Sequence, residues 1–217
     1  MSRTATAVPS RREGSRRAAR RRTAQRRRRA LLALLGIGLC FVAVVLAAPL
    51  FKRAVREFTL PLAYQDVIRE QAAAKHLDPA LIAAVIYAET KFDPRASSAG
   101  AEGLMQIMPQ TAQFLARRSG ATTFHIADLG TPAVNIAYGS YYLRYLLDEY
   151  HGSRVLALAA YNGGEANVDR WLAIARAHGH AFTVHDIPFP ETQAYVEKVL
   201  KAQRDYRRTY PTELGYR

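Results

Sequence analysis

In LIAAVIYAETKFDP, residues 81–94, apolar side chains and Tyr87 lead up to one carboxylate, Glu89. At the carbonyl end of a helix the dipole disfavours negative charge, and apolar neighbours disfavour it further. Both effects raise the pKa of the carboxyl and hold its proton near neutral pH. A protonated carboxyl on a cleft wall is what general acid cleavage of a glycosidic bond requires. Taken by itself, the stretch reads more readily as a solvated helix end facing water.

A second group follows in SSAGAEGLMQIMPQTA, residues 97–112, where Ser97, Gly100, Gly103 and Gln106 sit among Leu104, Met105, Ile107 and Met108. Glycine lets a backbone turn tightly or approach a ligand closely. The Gln106 amide offers a donor and an acceptor suited to a sugar hydroxyl or an N-acetyl group. The bland reading is a loop that feeds core residues into a helix, with Met105 and Met108 as core.

Helices must position these groups. Asp78 is a natural N-cap and Pro79 a natural first residue for a helix carrying Leu81, Ile82, Val85 and Ile86 at helical spacing. A second helix opens at Pro109 and closes at Gly120, and a third starts at Thr131-Pro132 and stops at Gly152. Ser153 caps RVLALAAYN, Gly163-Gly164 breaks before EANVDRWLAIARAHG, and Pro190 begins the last helix. No stretch alternates with period two, so residues 64–217 are expected to form a compact all-α domain.

Three ordered pieces carry a family resemblance. AETKFDPRASSAGAEGLMQIMPQTA resembles the opening motif of the goose-lysozyme-like lytic transglycosylases, the soluble lytic murein transglycosylase family. ALAAYNGGEANVDRWL, residues 157–172, resembles that family's Ala-Tyr-Asn-Ala-Gly segment. IPFPETQAYV, residues 187–196, resembles its closing segment, and the likeness spans roughly residues 64–207. The resemblance implies a lysozyme-like helical fold and cleavage of peptidoglycan between N-acetylmuramic acid and N-acetylglucosamine. It implies Glu89 as the single catalytic acid and base, with Ser97, Met105, Gln106, Tyr161 and Asn162 along the glycan groove. Glu191 and Tyr195 would approach from the last helix. Thr90 stands where the family usually has serine, keeping the hydroxyl, and the spacing from Glu89 to Gly100 is one residue short, so the groove serine is Ser97 or Ser98.

The implied reaction ends in a 1,6-anhydromuramyl product without water, unlike two-carboxylate glycosidases. A hydrolytic lysozyme would instead need a second carboxylate; Asp93 and Glu102 are near in sequence, though Asp93 before Pro94 reads as a turn acid. A non-catalytic wall-binding module of an envelope assembly is the other alternative, and the intact Glu89 argues against it.

The formal net charge of +13 invites a nucleic-acid reading, but its distribution argues otherwise. Residues 1–29 hold twelve arginines against Glu13 and account for +11, leaving +2 for the rest. Residues 30–51 then carry no charged side chain, and as a helix would be about 33 Å long, enough to span a hydrocarbon core. The expectation is an Arg-rich disordered cytoplasmic tail (1–29), a transmembrane helix (30–51), a juxtamembrane connector (52–63) and an extracytoplasmic catalytic domain (64–217) in the cytoplasmic membrane. A cleaved signal peptide ending near Ala47-Ala48 and a lipoprotein site at Cys40 are weaker readings, since the apolar run is long and continues past Cys40. The expected partners are glycan strands and the membrane, with no nucleic acid. No metal or cofactor is expected: Cys40 is the sole cysteine, and the six histidines show no helical HxxxH spacing.

Overall fold

A computed structural model describes residues 44–48 and 59–216 of the chain. The expected tail lies outside the described residues, as do most of the expected span and most of the connector. The chain divides into two units, Met1–Arg56 and Glu57–Arg217. In the first, residues 44–48 form a helical turn on which Val44, Val45 and Leu46 are exposed. Among the described residues no helix is long and apolar enough to cross a membrane.

Among the described residues of the second unit the α-helices are α1 Gln65–Lys75, α2 Pro79–Thr90, α3 Pro109–Ser119, α4 Pro132–Glu149, α5 Arg154–Gly163, α6 Glu165–Ala177 and α7 Pro190–Thr209. Two 3-10 turns, Ile126–Gly130 and Val184–Asp186, precede α4 and α7. Among the described residues the β content is one isolated antiparallel bridge, Glu102 to Ile107. The helix boundaries follow local chemistry. The Asp78 carboxylate accepts from Ala80 N–H at 3.0 Å, with Pro79 supplying a residue that has no N–H to satisfy. Proline likewise opens α3, α4 and α7, and α3 stops where Gly120 takes a left-handed φ of 74°.

Helix α2 is the centre of the fold. Ala80 through Ile86 are all buried, so it is apolar on every side rather than along one stripe. Leu81, Ile82, Val85 and Ile86 each contribute about 1.5–3 kcal/mol by leaving water. Its most extensive neighbour is α7, which turns a stripe spaced by three and four (Thr192, Tyr195, Val196, Val199, Ala202, Tyr206) inward. The two run antiparallel. At one end Gln203 Nε2 and Arg207 Nη2 donate to Asp78 Oδ2 at 2.6 and 2.9 Å; at the other Lys198 Nζ donates to the Ala88 carbonyl at 2.6 Å. Leu60 and Pro61, which the sequence assigns to the connector, lie against α7: their carbonyls accept from the Tyr210 and Tyr206 hydroxyls. This frame brings the end of α2 and the middle of α7 to one place.

Candidate active site

Glu89 lies in the last turn of α2, and the chain leaves it through a tight reversal. Lys91 and Phe92 both take left-handed φ values, 53° and 65°, which neither residue type favours. Buried Thr90 anchors the reversal, its hydroxyl lying 2.9 Å from the Leu104 carbonyl and 3.2 Å from that of Ile86. Thr90 therefore fastens the end of the acid's helix to the glycine-containing loop.

That loop is held mainly by one buried amide. Asn135 on α4 accepts from Met105 N–H at 2.8 Å and donates to the carbonyls of Glu102 at 2.8 Å and Leu129 at 3.1 Å. Gly103, at φ 72°, leaves room for it: a Cβ there would stand 2.3 Å from Asn135 Nδ2. Gly139, one turn along α4, makes the same allowance for Met105, whose Sδ would lie 2.4 Å from an added Cβ. Met105 consequently has no exposed surface. The sequence reading put Met105 on the groove wall; the structure buries it behind the cavity lining, where its carbonyl accepts from the Tyr161 hydroxyl.

Two expected residues, Tyr195 and Tyr161, converge on the carboxyl. Burial pushes the Glu89 pKa up from 4.5 to about 7, opposed in part by the Tyr195 hydroxyl and by the Lys198 charge. The Tyr195 hydroxyl is buried and faces the carboxyl without closing to a full hydrogen bond. Burial and the nearby Glu89 raise the pKa of Tyr195 and of Tyr161 well above the usual phenol value, so both stay protonated. Tyr161 donates to the Met105 carbonyl at 2.8 Å, which orients its ring from the loop that Asn135 fixes.

Beside this cluster opens a cavity of about 310 Å³ lined by Gln106, Met108, Thr111, Tyr142, Tyr161 and Asn162, among others. Glu89 is not among its lining residues; Tyr161 joins the two. Asn162 accepts from the Thr192 hydroxyl at 2.8 Å, which commits its carbonyl and leaves its NH2 uncommitted. Gln106 has the reverse balance: both N–H groups go to the carbonyls of Arg95 (2.7 Å) and Gly103 (2.8 Å), and its carbonyl oxygen remains. Ser97 serves its own loop, accepting from Ala101 N–H at 3.0 Å. Glu191 stands exposed in the first turn of α7, where Thr192 rather than Glu191 makes the contact with Asn162. Neither Ser97 nor Glu191 lines the cavity.

A family model described as the transglycosylase SLT domain matches residues 66–181, a stretch that holds Glu89, the loop, Asn135 and Tyr161. The chain belongs to this SLT family. Among its relatives, the soluble lytic murein transglycosylase of Escherichia coli is 35% identical over 155 residues, covering 70% of this chain and 24% of the relative. The membrane-bound lytic murein transglycosylase C of Actinobacillus pleuropneumoniae is 32% identical over 165 residues, covering 66% and 45%. An inactive glutamate-to-glutamine mutant of the Pseudomonas aeruginosa lytic transglycosylase Slt superposes with a TM-score of 0.64 at 32% identity, covering 70% of this chain and 25% of that one. A 70 kDa soluble lytic transglycosylase in complex with bulgecin A gives 0.66 at 32% identity, covering 74% and 28%. The chain thus spans about a quarter of the length of its soluble relatives.

Sequence reasoning missed Asn135 and Tyr142 within the matched SLT stretch, and Thr192 and Lys198 on α7 beyond it. Lys198 and Thr192 sit three residues either side of Tyr195 on α7, so a helical reading of the closing motif pointed near them. Asn135 offered no such signal, because its partners in the loop, Met105 and Glu102, lie 30 and 33 residues away.

Proposed function

We propose that the chain is a peptidoglycan lytic transglycosylase that cleaves the β-1,4 bond between N-acetylmuramic acid and N-acetylglucosamine. Glu89 donates its proton to the glycosidic oxygen as the C1–O4 bond breaks and the muramyl ring gains oxocarbenium character. The resulting carboxylate takes the proton from the muramyl 6-hydroxyl, whose oxygen bonds to C1. The acid is regenerated, no water enters, and the product carries a 1,6-anhydromuramyl end. The Tyr195 hydroxyl stabilises the carboxylate stage, while the Asn162 NH2 and the Gln106 carbonyl oxygen hold the glycan. Ser97 and Glu191 act on the substrate only at the rim.

The observation that carries this reading is a carboxyl whose pKa is raised by burial to about 7, with no second acid acting on it among the described residues. Asp93, the nearest rival, is exposed and 3.6 Å from Arg95. Family membership and the inactivity of the glutamine mutant of the Pseudomonas relative support the same reading. Digesting peptidoglycan in H2(18)O tests it: mass spectrometry should find anhydro ends without the isotope, whereas labelled reducing muramic acid would establish hydrolysis instead.

The same reading places the enzyme in the cytoplasmic membrane through residues 30–51, with the arginine-rich tail inside and the catalytic unit on the wall side. The uncharged run and the charge asymmetry around it support this. Carbonate extraction with protease protection of the tail checks it; release into the soluble fraction would refute it.

A further inference from the structure

Toward the far end of α7 from Tyr195, a cavity of about 190 Å³ is lined by Arg154, Leu200, Gln203, Arg204 and Arg207. Arg204 stands nine residues beyond Tyr195, about 13 Å along the helix axis. None of these residues lines the cavity at Tyr161. One wall is held rigidly from inside the fold. Gln203 is buried, accepts from an Arg154 N–H at 3.0 Å and donates to Asp78 Oδ2 at 2.6 Å. Asp78 is itself the cap of α2, so the Arg154 guanidinium is tied through two side chains to the central helix.

The acids nearby are already taken. Asp78 also accepts from Arg207 Nη2 at 2.9 Å, and Asp205 accepts from Lys201 at 2.8 Å and from Arg208 at 2.6 Å. Among the described residues neither Arg154 nor Arg204 forms an ion pair with a carboxylate. Residues 201–208 hold four cations against Asp205, although residues 30–217 together carry only +2. Guanidinium groups left open on one cavity suit a phosphate, which accepts from their paired N–H groups.

Where the chain enters decides which phosphate is near. The Leu60 and Pro61 carbonyls accept from the Tyr210 and Tyr206 hydroxyls, at the same end of α7 as Arg204 and Arg207. Residues 52–58, between the uncharged run and Thr59, reach at most about 25 Å when fully extended. With residues 30–51 in a bilayer, that reach keeps this end of α7 close to lipid headgroups.

We propose that the arginine face made by Arg154, Arg204 and Arg207 binds the phosphate of anionic lipid headgroups on the wall side of the membrane. It rests on the membrane placement given above and adds a second, electrostatic contact that fixes which end of the catalytic unit meets the lipid. The Glu89 end of α2 lies at the other end of the α2–α7 pair and stays clear of the surface.

Arginine modification by phenylglyoxal, mapped by mass spectrometry on the full chain in lipid nanodiscs, tests this. In phosphatidylglycerol discs Arg154 and Arg204 should react several-fold more slowly than in phosphatidylcholine discs, while exposed Arg176 on α6 reacts equally in both. High salt should abolish the difference. Arg204→Gln, a surface change, should keep the wild-type unfolding temperature yet lose the protection of Arg154. Equal reactivity in the two lipids, or protection of Arg154 that survives Arg204→Gln, would overturn the lipid face. Full protection by dissolved glycerol phosphate over neutral lipid would assign the cavity to a soluble phosphate and overturn it too. Failure of the chain to enter discs of either composition would overturn the membrane placement, and this face with it.

Discussion

Met105 N–H donates to Asn135 Oδ1 at 2.8 Å, joining the loop beside the acid to the middle of α4. The same side chain's NH2 reaches the Glu102 and Leu129 carbonyls, so one amide satisfies three buried or half-buried backbone groups. Tyr161 then takes its orientation from the Met105 carbonyl. The position of the cleft wall therefore depends on a residue that is itself fully buried.

Replacing Asn135 by leucine removes the partner of the Met105 N–H and of the Leu129 carbonyl, while the Glu102 carbonyl keeps the Ile107 N–H at 3.0 Å, and an unsatisfied buried group costs about 1–3 kcal/mol. Asn135→Leu should destabilise the protein by about 3 kcal/mol or more in urea unfolding. Asn135→Asp should fall between, because it still accepts from Met105 N–H but faces two carbonyls with a carboxylate. Unchanged stability in both variants would show that the loop has another anchor.

Gly139→Ala drives a methyl group into Met105, and overpacking of this kind costs about 1–3 kcal/mol. Met105→Ala alone opens a cavity. Combined, the two changes should destabilise by clearly less than the sum of the singles, since each relieves the other. Strict additivity in thermal unfolding would contradict the contact.

The raised carboxyl also sets a pH dependence of stability. The folded pKa of Glu89, about 7, exceeds the ordinary 4.5, so between these values the folded chain binds more protons than the unfolded one. Its contribution is favourable below about 4.5, is lost as pH rises through the window, and stays lost above about 7. Glu89→Gln should remove this dependence and make the protein more stable at pH 8, by on the order of 3 kcal/mol. Denaturation curves at pH 5 and pH 8 check the sign.

Activity should follow the protonated fraction, so kcat/KM falls as pH rises through about 7. The Lys198 charge and the Tyr195 hydroxyl both favour the ionised form. Lys198→Met and Tyr195→Phe should therefore each move the alkaline limb to higher pH. A limb that moves down, or does not move, would show that another group controls it.

Much of this was legible in the residues. Asp78-Pro79, Pro109, Gly120, Pro132, Ser153 and Pro190 mark helix ends because capping and proline chemistry act within a few residues. Glu89 was legible because its apolar neighbours are adjacent along the helix. Asn135 was not, since in TPAVNIAYG it looks like any polar residue on a helix, and its importance arises only when a loop 30 residues earlier folds over it. Gln106 looked ready for a sugar because its amide suits one, and Ser97 because the family resemblance implied it, while the loop's own backbone competes for the same hydrogen bonds. The 3-10 turns at Ile126–Gly130 and Val184–Asp186 are too short to display a period.

Selective (13)C labelling of glutamate, with Glu89→Gln to assign the signal, allows the Glu89 carboxyl to be titrated directly by NMR. The midpoint should fall near 7, with the shift of a group that remains protonated through pH 6. A midpoint near the ordinary 4.5 would mean a solvated, ionised carboxylate at neutral pH, and the acid role given to Glu89 would fail.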